Sequence, residues 1–226
     1  QPSPASLEEA AAIADFVVKN RGNHLQWVAL DDIIGSGTTW QRWHDHTAAL
    51  LDALHARGLS AGLGIQLFGS GNLQRAFDLL DSVPAEPRPA LRERLGLVAG
   101  DLDFDLYNLS FGEFFEEGPE AFIANVDAAW EVLQEVAPQA RMTTVVHVGA
   151  DLTVQYDDRE MIYYLLAQYA DPAVVPWVHS VMYYNLFDDP GGAYHHEDFD
   201  QHRGLLLDRL AAGEAVGYFP ESAYWV

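Results

Sequence analysis

Two glutamates in this 226-residue sequence stand in matching places: Glu113 comes two residues after the run Phe104 to Phe111, and Glu221 two residues after Ala215 to Phe219. Two carboxyls at strand ends can cleave an acetal, one protonating the leaving oxygen while the other attacks or activates water. Phe111, Phe114 and Phe115 surround the first acid, and Tyr218, Phe219, Tyr224 and Trp225 the second. Such neighbours desolvate a carboxyl, raise its pKa and offer flat faces to sugar rings. The plainer reading is that these are two of 34 acids, capping helices or facing water.

Other side chains of suitable type fall at the ends of strand-like segments. Asp31 and Asp32 close Leu25 to Leu30, His147 stands near the end of Met142 to Val148, and Tyr184 and Asn185 stand near the end of Trp177 to Phe187. With Trp225 they make a candidate substrate-binding set for hydroxyl-rich ligands. The stretch Tyr194-His195-His196-Glu197-Asp198-Phe199-Asp200-Gln201-His202 holds three imidazoles and three carboxylates, donors that suit zinc, manganese or iron. It lacks HExxH, and Asp198 with His202 at i, i+4 is also what a solvated helix start produces, so no metal is assigned. His44-Asp45-His46 falls within an amphipathic helix rather than at a strand end. The GSG turns at 35–37 and 69–71 fit neither GxxxxGK[ST] nor GxGxxG and read as tight turns, and no G-x-S-x-G elbow is present.

The elements that would position these groups alternate. A helix from Ser6, with Glu9 completing a capping box, runs to Gly22, and Leu25 to Leu30 follows as a strand. A second capping box, Thr38 with Gln41, opens a helix that stops at Gly58, and Ser60 to Phe68 is the next strand. Leu73 to Leu80 reads as helix, and Pro84, Pro87 and Pro89 interrupt the chain before another short helical piece. After Phe104 to Phe111, Gly118-Pro119 opens a helix to Val136 with one apolar stripe, Phe122, Val126, Ala129, Trp130, Leu133 and Val136. Then come the strand Met142 to Val148, a helix Glu160 to Tyr169, the strand Trp177 to Phe187, a helix Phe199 to Leu210 and the strand Ala215 to Phe219. Six strands, most followed by a helix, are the signature of an α/β fold with a parallel sheet. A repeat of roughly 35 residues with functional side chains at strand ends favours a (β/α)8 TIM-type barrel over an open sheet. Six strands do not close such a barrel. Residues 1–226 therefore read as one barrel-like domain, a fragment of a longer chain.

Composition sets outer limits. Hydrophobic residues make up 49% of the chain, enough to bury a full core. Twelve Lys plus Arg against 34 Asp plus Glu give a formal charge of −22, a field that repels phosphate backbones and argues against nucleic acid as partner. There is no cysteine, hence no thiolate metal site, disulfide or cysteine nucleophile. No run reaches the roughly 18 to 20 apolar residues of a membrane span. The opening QPSPASLEEA lacks the basic and apolar regions of a signal peptide. A mature secreted chain and a cloned fragment can both begin this way, so export stays open.

With Glu113 on the third strand and Glu221 on the sixth, the pattern resembles the clan of barrel glycoside hydrolases whose acid/base and nucleophile glutamates end the fourth and seventh strands. The numbering coincides if one leading strand lies outside the chain. The resemblance implies a glycosidase with a carbohydrate substrate and no cofactor, Glu113 acting as acid/base and Glu221 as nucleophile or base. Where that clan commonly has Asn before the first acid, Gly112 stands here. Separately, Val181-Met182-Tyr183-Tyr184-Asn185 is similar to the Met-x-Tyr-Asp/Asn strand of chitinase-like barrels, whose Tyr assists the substrate acetamido group. Their DxxDxDxE motif is not matched by DLDFDLYNLSFGE. Two other readings stay open: a metal-dependent hydrolase using His147 and the His195 to His202 cluster, and a barrel that binds saccharide or protein without turnover.

Overall fold

A computed structural model describes residues 4–72, 75–112, 118–147, 152–180 and 196–220. The chain forms two compact units, Gln1–Phe114 with Ala128–Met142, and Phe115–Asp127 with Thr143–Val226. In the first unit the elements run α1 (Pro4–Lys19), β1 (His24–Val28), a 3₁₀ turn at Asp31–Ile34, α2 (Gly37–His55), β2 (Ser60–Phe68), β3 (Asp78–Leu80), α3 (Arg88–Ala99) and β4 (Leu106–Ser110). The chain continues through α4 (Pro119–Val136) and β5 (Arg141–Val146), which the two units share. The second unit adds the hairpin β6 (Thr153–Tyr156) and β7 (Arg159–Ile162), a 3₁₀ helix at Tyr163–Tyr169, β8 (Val174–Ser180), α5 (His196–Ala212) and β9 (Gly217–Pro220). Among the described residues, no helix is long and apolar enough to cross a membrane.

β2 is the centre of the first unit, paired in parallel with β1, β3 and β4. It is buried at every position after Ser60. Its side chains alternate, so Leu63, Ile65 and Leu67 face one way and Gly62, Gly64 and Gln66 the other. Register extends both faces to its neighbours: Gln26 and Leu106 flank Gly62, while Val28 and Asn108 flank Gly64. The glycine positions are crowded, since a Cβ on Gly62 would lie 2.8 Å from the His24 ring and one on Gly64 3.1 Å from Val28. Leu63, Leu67, Tyr107 and Leu109 are fully buried on the apolar side. The Tyr107 hydroxyl donates to the Val98 carbonyl at 3.1 Å, and burial pushes its pKa up.

Several sequence expectations change. Helix α1 begins at Pro4, so Ser6 lies inside its first turn and does not cap it. The cap of α2 is Ser36, not Thr38: the Ser36 hydroxyl accepts from the Thr39 N–H at 3.1 Å. Of the expected helix Leu73 to Leu80, the described residues 75–80 are not helical and end in β3. Beyond Val28, β1 turns away from β2, and the backbone of 75–80 takes the vacated hydrogen bonds, with Gln66 N–H donating to the Phe77 carbonyl and Phe77 N–H to that of Ala29. Glu160 to Tyr169 divides between β7 and a 3₁₀ helix, because Asp157 (φ 52°) and Asp158 (φ 57°) form the two-residue turn with both φ positive that closes a hairpin. Nine strands, not six, occur among the described residues.

At the opposite end of the strands, Asp105 joins several elements. Its carboxylate accepts from the Ala61 N–H (2.7 Å) and the His55 ring (3.0 Å), and its carbonyl accepts from Arg141 N–H (3.0 Å). Partial burial works to raise its pKa, but the Ala61 N–H, His55 and Arg141 outweigh it and hold the carboxyl below 3.8. Asp105→Ala is expected to cost about 1 to 2 kcal/mol, a figure kept low because the carboxylate is partly exposed. The folded pKa lies below the unfolded one, so the contribution is complete above it and fades as pH falls through the folded value. Urea denaturation of wild type and variant should show a stability gap that narrows on the acid side; a gap independent of pH contradicts the assignment. Gly112 has φ 59°, and a Cβ there would lie 2.7 Å from both Gln66 Nε2 and the Gly71 carbonyl. Gly112→Ala is expected to cost about 1 kcal/mol or more and lower the melting temperature by about 2 to 4 °C per kcal/mol; an unchanged melting curve counts against the crowding.

Candidate active site

Barrel and open parallel α/β folds place their chemistry at the C-terminal ends of the strands. In the first unit that edge belongs to β1, β2, β3 and β4. Gln66, 3% exposed, donates from Nε2 to the Phe68 carbonyl at 2.5 Å, and its carboxamide lies against the α-carbon of Gly112. Ser110 is its register partner on β4, and Asn108, 5% exposed, sits two residues before it on the same face. Asp31 begins the 3₁₀ turn after β1, and its carboxylate receives Arg75 in a forked pair at 3.1 and 3.3 Å. Asp32 follows it and is exposed. Asp78 pairs with Arg94, whose guanidinium also lies 4.2 Å above the Phe77 ring. Gly69 leaves room for that carboxylate, since a Cβ there would lie against Asp78 Oδ2.

The second unit gathers imidazoles at its strand ends. His147 follows β5, and His179 sits near the end of β8 with its ring centroid 4.7 Å away. Phe219 of β9 stacks on His179 at 4.8 Å and 22°, and Tyr164 closes on His147 edge-on at 6.2 Å. His202 of α5, fully buried, donates from Nε2 to the His147 carbonyl at 3.0 Å, which fixes a proton on that nitrogen. His179 is 7% exposed, and burial first, then the neighbouring His147 and His202, push its pKa down to about 3. At neutral pH the pair of strands therefore offers a neutral imidazole against an aromatic wall.

Of the residues singled out by sequence, Asp31, Asp32 and His147 stand just past strand ends. Glu113, Glu221, Tyr184, Asn185, Trp225 and His195 lie outside the described residues. The histidine-rich stretch opens α5, and His202 from it is engaged with the His147 backbone. Among the described residues no group of three His, Asp or Glu side chains gathers as metal ligands. His44 and His46 lie within α2, as their pattern indicates, with the His44 ring 4.9 Å from Trp40. Sequence reasoning passed over Gln66, Asn108 and His179. The signal was present for the first two: polar residues alternating with Leu inside strands read as compact and apolar mark a sheet face that is not greasy. His179 carried no comparable mark within PWVHS.

No family model and no curated protein sequence matches this chain. Among solved structures, a glycoside hydrolase shares its fold with a TM-score of 0.58 at 12% identity, over 92% of this chain and 70% of its own. An O-GlcNAc hydrolase variant from Thermobaculum terrenum and CpGH84B each give 0.53 over 78% of this chain, at 11% and 10% identity. The chain spans only 38% and 31% of the length of those two. The fold read from the sequence, an α/β barrel of (β/α)8 type that is incomplete in this chain, is thus the fold it has in common with barrel glycoside hydrolases.

Proposed function

We propose that this chain is the barrel core of a glycoside hydrolase that cleaves an oligosaccharide or polysaccharide with two carboxyls, Glu113 as acid/base and Glu221 as nucleophile or base. The observation that carries the reading is the fold held in common with a glycoside hydrolase over 92% of the chain. The two glutamates support it by their place in the sequence, Glu113 following Gly112 past the end of β4 and Glu221 following Pro220, the last residue of β9. One carboxyl protonates the departing glycosidic oxygen; the other attacks the anomeric carbon or activates water, and no cofactor is needed. Asp31, Asp32, His147, Tyr184, Asn185 and Trp225 bind sugar hydroxyls and ring faces around that pair.

Two features of this chain bear on the chemistry. Gly112 stands where related barrels commonly have Asn, and the reason is steric: residue 112 has φ 59° and no space for a Cβ. A carboxamide still lies at that point, supplied by Gln66 from β2. His179 is neutral at neutral pH, so it can hold a hydroxyl without adding positive charge at the strand ends of its unit. N-acetylated sugars come first among substrates to try, since one structure with this fold is an O-GlcNAc hydrolase and Val181 to Asn185 resembles the chitinase-like strand.

Turnover of aryl glycosides, N-acetylglucosaminides included, should fall by about 10² to 10⁴ in Glu113→Gln, the scale of lost acid–base catalysis. Glu221→Gln should fall at least as far, and a bell-shaped pH profile should lose one limb in each variant. Turnover that survives both substitutions but stops on adding chelator counts for a metal-dependent hydrolase instead. NMR titration should find the His179 imidazole protonating near pH 3 rather than 6.5. Because the unfolded imidazole takes its proton first, stability should decline as pH drops from 6.5 toward 3. An ordinary titration near 6.5 removes the neutral-imidazole wall from the account.

A further inference from the structure

Away from the strand ends, the second unit holds a cleft of about 600 Å³ between α5 and the segment formed by β7 and the following 3₁₀ helix. That volume is in the range of small-molecule sites. Helix α5 has two working faces. His202 points to the His147 backbone, whereas Gln201, Gly204 and Asp208, at i, i+3 and i+7, line the cleft. Gly204 is costly in mid-helix, by about 1 kcal/mol against Ala, and no packing demands it, because nothing lies within 4 Å of where its Cβ would stand. Its effect is to leave the cleft open. The opposite wall carries Tyr169, whose ring is held edge-on by Tyr156 at 4.9 Å.

The polar groups of the cleft are part engaged and part available. Gln201 spends its carbonyl on the Ile162 N–H at 2.9 Å, and its NH₂ group has no partner among the described residues. Arg159 and Asp208 form no ion pair or side-chain hydrogen bond among the described residues, though the Arg159 charge acts on the Tyr169 hydroxyl, while Arg209 is occupied by Glu214 at 3.3 Å. An aromatic ring, unpaired donors, an unpaired carboxylate acceptor and near-balanced charge suit a neutral ligand with many hydroxyls and one apolar face. A phosphate or a polycation finds too little charge of one sign. We propose that this cleft is a second saccharide-binding site, distinct from the strand-end site, that holds one or two neutral sugar residues over Tyr169 with hydroxyls on Asp208, Gln201 and Arg159. The proposal rests on the reading of this chain as carbohydrate-active.

The test is calorimetric titration of cello-, xylo-, chito- and maltotetraose into the Glu113→Gln protein, where turnover is blocked, with and without Gly204→Leu. Leucine raises helix propensity and fills the cleft, so folding is expected to be intact, which circular dichroism checks. Tyr169→Ala serves as the second variant. At least one tetrasaccharide should bind, with affinity lowered about five- to tenfold by either change, the scale of one lost ring contact. With Glu113 restored, hydrolysis of a small aryl glycoside should be unchanged by Gly204→Leu. If no tetrasaccharide binds, or binding is the same in both cleft variants, the second site is wrong even where Glu113 proves essential. If the cleft variants weaken binding but Glu113→Gln hydrolyses like wild type, the cleft stands and the catalytic assignment falls.

Discussion

The arrangement of the first unit follows from the burial of β2. A strand buried along its length must pair every backbone N–H and C=O, because an orphaned group costs about 1 to 3 kcal/mol. β1, β3 and β4 together meet that demand, and β3 exists because β1 leaves the edge of β2 after Val28. The same burial explains the sequence of β2. Leu63, Ile65 and Leu67 fill the apolar side, while Gly62 and Gly64 yield space on the other to His24, Gln26 and Val28. Gln66 then ends that second side with a carboxamide against Gly112, at the edge where chemistry is built.

Charge is handled differently at the two ends of these strands. At the N-terminal end Asp105 is ionised, and its Oδ2 accepts from the Ala61 N–H and the His55 ring, a stabilising junction. Beside the ion pairs of Asp31 and Asp78 and the exposed Asp32, the C-terminal edge of the first unit carries amides and a hydroxyl, and that of the second unit carries neutral imidazole and aromatic faces. Groups of that kind hold a sugar without imposing a charge on it. Among the described residues most arginines are spent on ion pairs, such as Arg57 with Asp15, Arg92 with Glu135 and Arg94 with Asp78. The excess of acid stays on the surface, where exposed pairs contribute little to stability.

Much of this was legible in the sequence wherever local pattern and tertiary demand agree. Ser60 to Phe68 and Pro119 to Val136 have the bounds read from the sequence, because a compact run closed by a glycine turn and an apolar stripe opened by Gly118-Pro119 leave little choice of limits. The failures have physical causes. Residues 73, 76, 77 and 80 are apolar at helical spacing, but the open hydrogen bonds of β2 outbid local propensity for 78–80. The turn Asp157-Asp158 was a hairpin signal overlooked in favour of the apolar run behind it. His147 was singled out by its place after a strand, which β5 bears out as a position, and Gln66 and Asn108 were passed over because a buried polar residue declares itself only once the strand faces are separated. Glu113 and Glu221 were singled out by sequence position alone and lie outside the described residues.

The most direct measurement is the separation of the Glu113 and Glu221 carboxyl groups in a crystal structure of the protein with a bound saccharide. The account predicts a gap of roughly 5 to 9.5 Å across the sugar, the short end signifying retention of anomeric configuration and the long end inversion. Carboxyls much farther apart, or one of them turned away from the strand ends, would contradict a two-carboxylate mechanism on this barrel.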